Sequence, residues 1–142
     1  MNARQRQNKL SSITIDDAVN HHAWLRECFT LELKMRLTCS QYEYYENIYH
    51  CALLLHQIAD LSDLELLFSA KCSGDMDLGS GFDWQFLFLT EPDSLKQYAL
   101  SINRSDIAAW VDNYKTSYQE EDMDGWLSHT NSYYGVKTAI QK

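Results

Sequence analysis

Along most of this chain apolar residues return every three or four positions, in blocks parted by short polar breaks. Ala18, His22, Leu25, Phe29, Leu33 and Leu37 lay one apolar stripe along a long helix, because that spacing follows the helical turn. Thr14 with Asp17 offers it a capping box, and Thr38 to Ser40 ends it. Ser40 with Glu43 opens a second helix, whose seam is Tyr44, Ile48, Cys51, Leu55 and Ile58. Tyr42, Tyr45 and Tyr49, with Ala52, Leu53 and Leu54, widen that seam, so this helix is apolar over most of its girth and belongs at the centre. Ser62 with Glu65 opens a third, carried by Leu64, Leu67, Phe68 and Cys72. Links this short predict antiparallel neighbours.

The pattern changes between Leu61 and Leu89, the stretch around which the chain is organised. Three of the five glycines (Gly74, Gly79, Gly81) fall there among Asp75, Asp77 and Asp83, a composition that makes tight, acidic, backbone-exposing corners. The following Phe82, Trp84, Phe86 and Phe88 alternate as a strand would, yet Phe82, Phe86 and Leu89 also match a helix. With helical patterns on both sides and no second strand to pair with, the segment reads as helix, with at most a minor strand at 82–88. Pro92 suits the first turn of a helix faced by Leu95, Tyr98, Ala99 and Ile102. Asn103 or Ser105 caps another, through Ile107, Trp110, Val111, Tyr114 and Tyr118. The tail from Gln119 is acidic and then aromatic, and Trp126, Tyr133 and Tyr134 predict that it docks as a cap. Residues 1–13 are polar and aperiodic and read as a flexible, frayed terminus; 14–142 reads as a single domain. The fold class expected is all-α: an antiparallel helix-pair array, HEAT-like, or a right-handed helical bundle.

Composition adds direction. A chain of 142 residues with 45% hydrophobic side chains can bury a core. Twenty acidic against twelve basic side chains give a formal net charge of −8, which repels phosphate backbones and anionic lipid and attracts basic partners. Direct nucleic-acid binding is therefore not expected, and neither is a membrane partner. Cys28, Cys39, Cys51 and Cys72 lack paired C-x-x-C spacings, and Cys28, Cys51 and Cys72 read as small core residues. The opening segment has no apolar core of a signal peptide, and no apolar run spans a membrane, so a cytoplasmic setting is expected.

Candidate chemistry stays thin. Glu120, Asp122, Asp124 and Gly125 fall on positions of a calcium-loop register, but its closing position is Asn131 instead of a bidentate glutamate. The Asp75, Asp77, Gly79, Gly81, Asp83 segment half-matches a glycine/aspartate calcium repeat that works only in stacked copies. The five histidines never pair with a cysteine at zinc-ligand spacing. There is no nucleophile elbow, phosphate loop or dinucleotide fingerprint. No catalytic, metal or cofactor residue is assigned, and a solvated acidic face explains the carboxylates better than acid/base catalysis.

One pattern in the organising stretch is familiar. Asp63-x-x-Leu66-Leu67-x-x-Ala70-Lys71, then Asp75, then Gly81-x-Asp83-x-Gln85-x-Leu87 resembles a family of small bacterial all-helical, HEAT-like proteins. Some of these stand beside polymorphic secreted toxins, where the neighbour is typically an immunity protein. The similarity covers Tyr49 to Leu100, and it departs from the family after Leu89, where TEPDS replaces a glycine-containing link. The resemblance implies a helical scaffold and toxin neutralisation, with Asp83 as a helix cap, Gly81 serving backbone geometry and Lys71 as ion partner of Asp75. Under that expectation the partner is a basic toxin or nuclease domain. Its contact residues would be the carboxylates Asp75, Asp77, Asp83, Glu120, Glu121, Asp122 and Asp124, with Trp84, Tyr118 and Trp126 as aromatic anchors. The alternatives are a phage-type or regulatory inhibitor of a basic nucleic-acid-binding protein, and a metal-dependent domain or enzyme using the Asp-rich corner.

Overall fold

The computed structural model describes residues 1–138. Among them lie eight α-helices and no strand: α1 (Ala3–Ser12), α2 (His22–Thr38), α3 (Asn47–Ile58), α4 (Leu64–Lys71), α5 (Met76–Gly81), α6 (Pro92–Ser101), α7 (Ser105–Glu120) and α8 (Met123–Tyr134). The all-α class read from the periodicity is the class observed. The stretch that reads as one domain packs as two compact units. The first is Met1–Ile58 with the described chain from Ser128 to Thr138, and the second is Ala59–Leu127.

In the first unit α3 is central, and every residue from Asn47 to Leu55 is buried. It packs against α1 and α2, whose Leu10, Leu25, Cys28 and Phe29 are 0–1% exposed. Gln57 on α3 and Asn131 on α8 exchange two amide hydrogen bonds, at 2.8 and 3.1 Å. Tyr134 packs its ring 5.3 Å from that of His50, and the Tyr133 hydroxyl donates to Glu46 at 2.9 Å.

The N-terminus departs from the frayed segment expected. Asn2 and Gln5 close a reciprocal capping box on α1, and what holds the helix down is a buried charge. The Arg6 guanidinium donates through Nε to Glu32 Oε1 at 2.9 Å and through Nη1 to the Met1 carbonyl at 2.9 Å. Glu32, 1% exposed, also accepts from Asn47 Nδ2 at 3.1 Å and from the Tyr42 hydroxyl, at 2.6 Å on Oε1. Burial works against the charge on Arg6, but its bonds to Glu32 and Tyr42 outweigh it, so its pKa is raised. Burial, and then the bond to Glu32, push the Tyr42 hydroxyl pKa up as well. The same network moves the start of α3. Tyr42 turns to Glu32 and Arg36 Nη1 donates to the Tyr45 carbonyl at 2.8 Å, so 40–46 forms turns and the helix begins at Asn47, not Ser40.

In the second unit Asp60, not Ser62, supplies the cap, accepting from Ser62 N–H at 2.9 Å before α4. α6 opens with Pro92 in its first turn and Glu91 as cap, and pairs with α7. The ambiguous FDWQFLFL segment is a single 3-10 turn, Trp84–Leu87. Phe82 and every residue from Gln85 to Leu89 are buried. A segment buried all round needs no two-sided alternation, which is why period two misleads there. Cys72 is exposed, against the expectation of a core residue, because it follows the last turn of α4.

Candidate functional site

All ten expected partner-binding residues belong to the second unit. That unit also holds nearly all of the charge imbalance. Fourteen of the twenty acidic and four of the twelve basic side chains fall in residues 59–127, a formal −10 against +2 for the rest of the chain. The four cations are already engaged. Arg104 grips Asp106 and Glu65 (2.6 Å), Lys96 meets Asp112 at 2.9 Å and Lys115 meets Asp93 at 3.2 Å. Lys71 Nζ donates to the Gly79 carbonyl at 2.8 Å. Bonds from Arg104 hold the Asp106 carboxyl below its ordinary pKa, so that carboxylate stays ionised over a wide pH range.

The two carboxylate clusters, more than thirty residues apart in sequence, are joined. The Trp126 indole N–H donates to Asp83 Oδ2 at 3.1 Å, and Gln85 Nε2 donates to Glu121 Oε2 at 2.8 Å. Gln85 is 9% exposed, so Glu121 is held by a fixed donor. Gln85 stands in the resembling motif but not among the expected contact residues; a lone glutamine inside an apolar run was the signal for it.

The carboxylates divide into two kinds. Asp75 Oδ1 accepts from the Leu78 N–H at 2.9 Å and Asp122 Oδ1 from the Gly125 N–H at 3.0 Å, so both cap the starts of helices, α5 and α8. Asp77, Glu120 and Asp124 are exposed and make no hydrogen bond or ion pair with the described residues. Two roles implied by the resemblance shift. Asp83 precedes the 3-10 turn without a side-chain cap bond, since its carboxylate faces Trp126. Lys71 reaches the Gly79 carbonyl where an ion pair with Asp75 was expected. The left-handed backbone falls at Gly74 (φ +86°), not at Gly81. At Gly79 a Cβ would lie 3.3 Å from the Lys71 carbonyl, a tight approach that glycine relieves where α5 nears the end of α4.

The aromatic anchors are rigid and half-exposed. Tyr118 stacks on Phe88 at 4.9 Å, Phe88 lies 5.7 Å from Trp110, and Trp110 stacks on Tyr114 at 4.5 Å. Trp84 packs against Tyr114 and Phe88, and Trp126 sets its edge on Phe86 at 5.3 Å. Rings locked in this way lose little side-chain freedom on contact. Met76, 87% exposed and beside Asp77, is the most exposed large apolar side chain described and was not anticipated.

Among the described residues no group of three or more His, Cys, Asp or Glu side chains is placed to hold a metal ion, and no helix is long and apolar enough to cross a membrane. Comparison of the chain with protein-family models, with curated proteins and with solved structures gives no match.

Proposed function

We propose that this chain is a non-enzymatic cytoplasmic binding protein that neutralises a basic protein partner through the acidic and aromatic surface of residues 59–127. In its most specific form it is an immunity protein against a toxin or nuclease domain. The observation that carries this reading is the charge of the second unit, −10 with all four of its cations engaged. A surface of that kind steers a cationic partner into encounter and offers it carboxylates without competing internal cations. The half-exposed Trp84, Tyr118 and Trp126 and the exposed Met76 supply apolar contact beside those charges. The resemblance of Tyr49 to Leu100 to immunity-like helical proteins points the same way.

The test is association kinetics with the protein encoded beside this one. Raising salt should slow the on-rate, and the triple variant Asp77→Lys, Glu120→Lys, Asp124→Lys should lower it roughly tenfold or more at low salt. The melting temperature should change little, because those three side chains make no hydrogen bond or ion pair with the described residues. Salt-independent association that survives the triple reversal would discard an acidic docking surface.

A further inference from the structure

Cys28 on α2 and Cys51 on α3 face each other inside the first unit with their Sγ atoms 3.2 Å apart, the closer contact of an S–H···S pair. Both are free thiols and 0–1% exposed. Cys39 and Cys72 are exposed and take no part in this contact. A disulfide bond is about 2.05 Å long, so closing this pair needs the two sulfurs to approach by about an ångström. Neither thiol is used by the surface described above, which lies wholly in the other unit.

We infer that Cys28 and Cys51 are a latent disulfide site, which a disulfide-class oxidant such as oxidised glutathione converts into a covalent bond between α2 and α3. The step balances as thiol–disulfide exchange. One cysteine sulfur displaces a glutathione thiol to form a mixed disulfide, the second displaces another, and the two protons lost by the cysteines end on the two released thiols. The protein is oxidised by two electrons and the glutathione disulfide is reduced by two. Burial raises the Cys51 pKa, and neither sulfur reaches solvent, so the folded chain reacts slowly and only through opening of the first unit. The native fold nevertheless favours the bond, because it holds the two sulfurs together where an unfolded chain must close a loop across 23 positions.

The experiment uses the full chain with Cys39→Ser and Cys72→Ser, which removes the two exposed thiols and leaves only the buried pair. It is equilibrated in glutathione redox buffers with and without denaturing urea. The expected product is lighter by about 2 Da, carries no titratable thiol, and yields a Cys28–Cys51 peptide on non-reducing digestion. At equilibrium the folded chain should hold the disulfide roughly a hundredfold more strongly than the urea-unfolded chain, and the oxidised protein should melt roughly 5–10 °C higher. An equal or weaker preference in the folded chain would overturn the inference, as would two thiols still titratable after equilibration without urea. Because the comparison is made on one chain in two states, it does not depend on how a Cys51→Ser variant folds.

Discussion

The indole of Trp126 donates its N–H to the Asp83 carboxylate at 3.1 Å, and that one bond ties the first turn of α8 to the acidic corner after α5. Trp126→Phe keeps an apolar ring against Phe86 but removes the donor. The variant should lose about 1–2 kcal/mol of stability, the ordinary worth of a hydrogen bond to a charged group discounted for its exposure. Urea unfolding of parent and variant checks this. Equal midpoints would mean that the aromatic contact alone holds the turn.

Glu32 is the buried anchor of α1, and its removal leaves Arg6 as an uncompensated charge at 6% exposure. Glu32→Ala should therefore cost about 3–5 kcal/mol. Replacing both partners together, Arg6→Met with Glu32→Leu, should recover much of that loss, since the cost lies in the unpaired charge. Thermal unfolding of the single and double variants reads the difference. A double variant as unstable as Glu32→Ala would show that the Tyr42 and Asn47 bonds dominate instead.

That anchor also shows where the sequence stops being legible. Helices whose stability comes from an apolar stripe, such as α3 with Ile48, Cys51 and Leu55, stand out in the spacing of residues, and their burial follows. The helix α1 has almost no stripe, only Leu10 and the half-buried Ala3 and Lys9. Its reason to fold is Glu32, twenty-six positions from Arg6, and no local pattern encodes that pairing. The segment around the 3-10 turn at Trp84–Leu87 is illegible for the opposite reason, since the consecutive residues from Gln85 to Leu89 are all buried and carry no period. At the candidate site the residue types were readable and the partition of roles was not. Asp75 and Asp77 look alike in sequence, and only the bond to Leu78 N–H makes the first a cap.

That difference between neighbouring aspartates is measurable. Asp75→Ala should destabilise the chain by about 1 kcal/mol, the usual loss of an N-cap, while Asp77→Ala should leave stability within about 0.5 kcal/mol. Asp122→Ala should follow Asp75, and Asp124→Ala should follow Asp77, because Asp122 alone of that pair accepts from Gly125 N–H. Denaturant midpoints of the four variants decide it. Equal losses at Asp75 and Asp77 would place the capping role elsewhere.

His50 gives the protein a built-in sensitivity to acid. It lies on α3, 7% exposed, against the Tyr134 ring, and its Nε2 finds no hydrogen-bond partner among the described residues. Burial lowers its pKa from 6.5 to about 4. Because the folded pKa lies below the unfolded one, the unfolded chain binds the proton first as the solution is acidified. The contribution of neutral His50 is therefore complete above about pH 6.5 and is lost progressively as pH falls toward 4, on the order of 3 kcal/mol in all. Protons taken up elsewhere act on parent and variant alike, so the test is a difference. His50→Phe fills the same space without a titrating group, and its stability relative to the parent should improve by about 2–3 kcal/mol between pH 7 and pH 4. Unfolding in urea at both values measures that change. Parallel pH profiles for parent and variant would mean that water reaches the imidazole and that His50 titrates as it would in the unfolded chain.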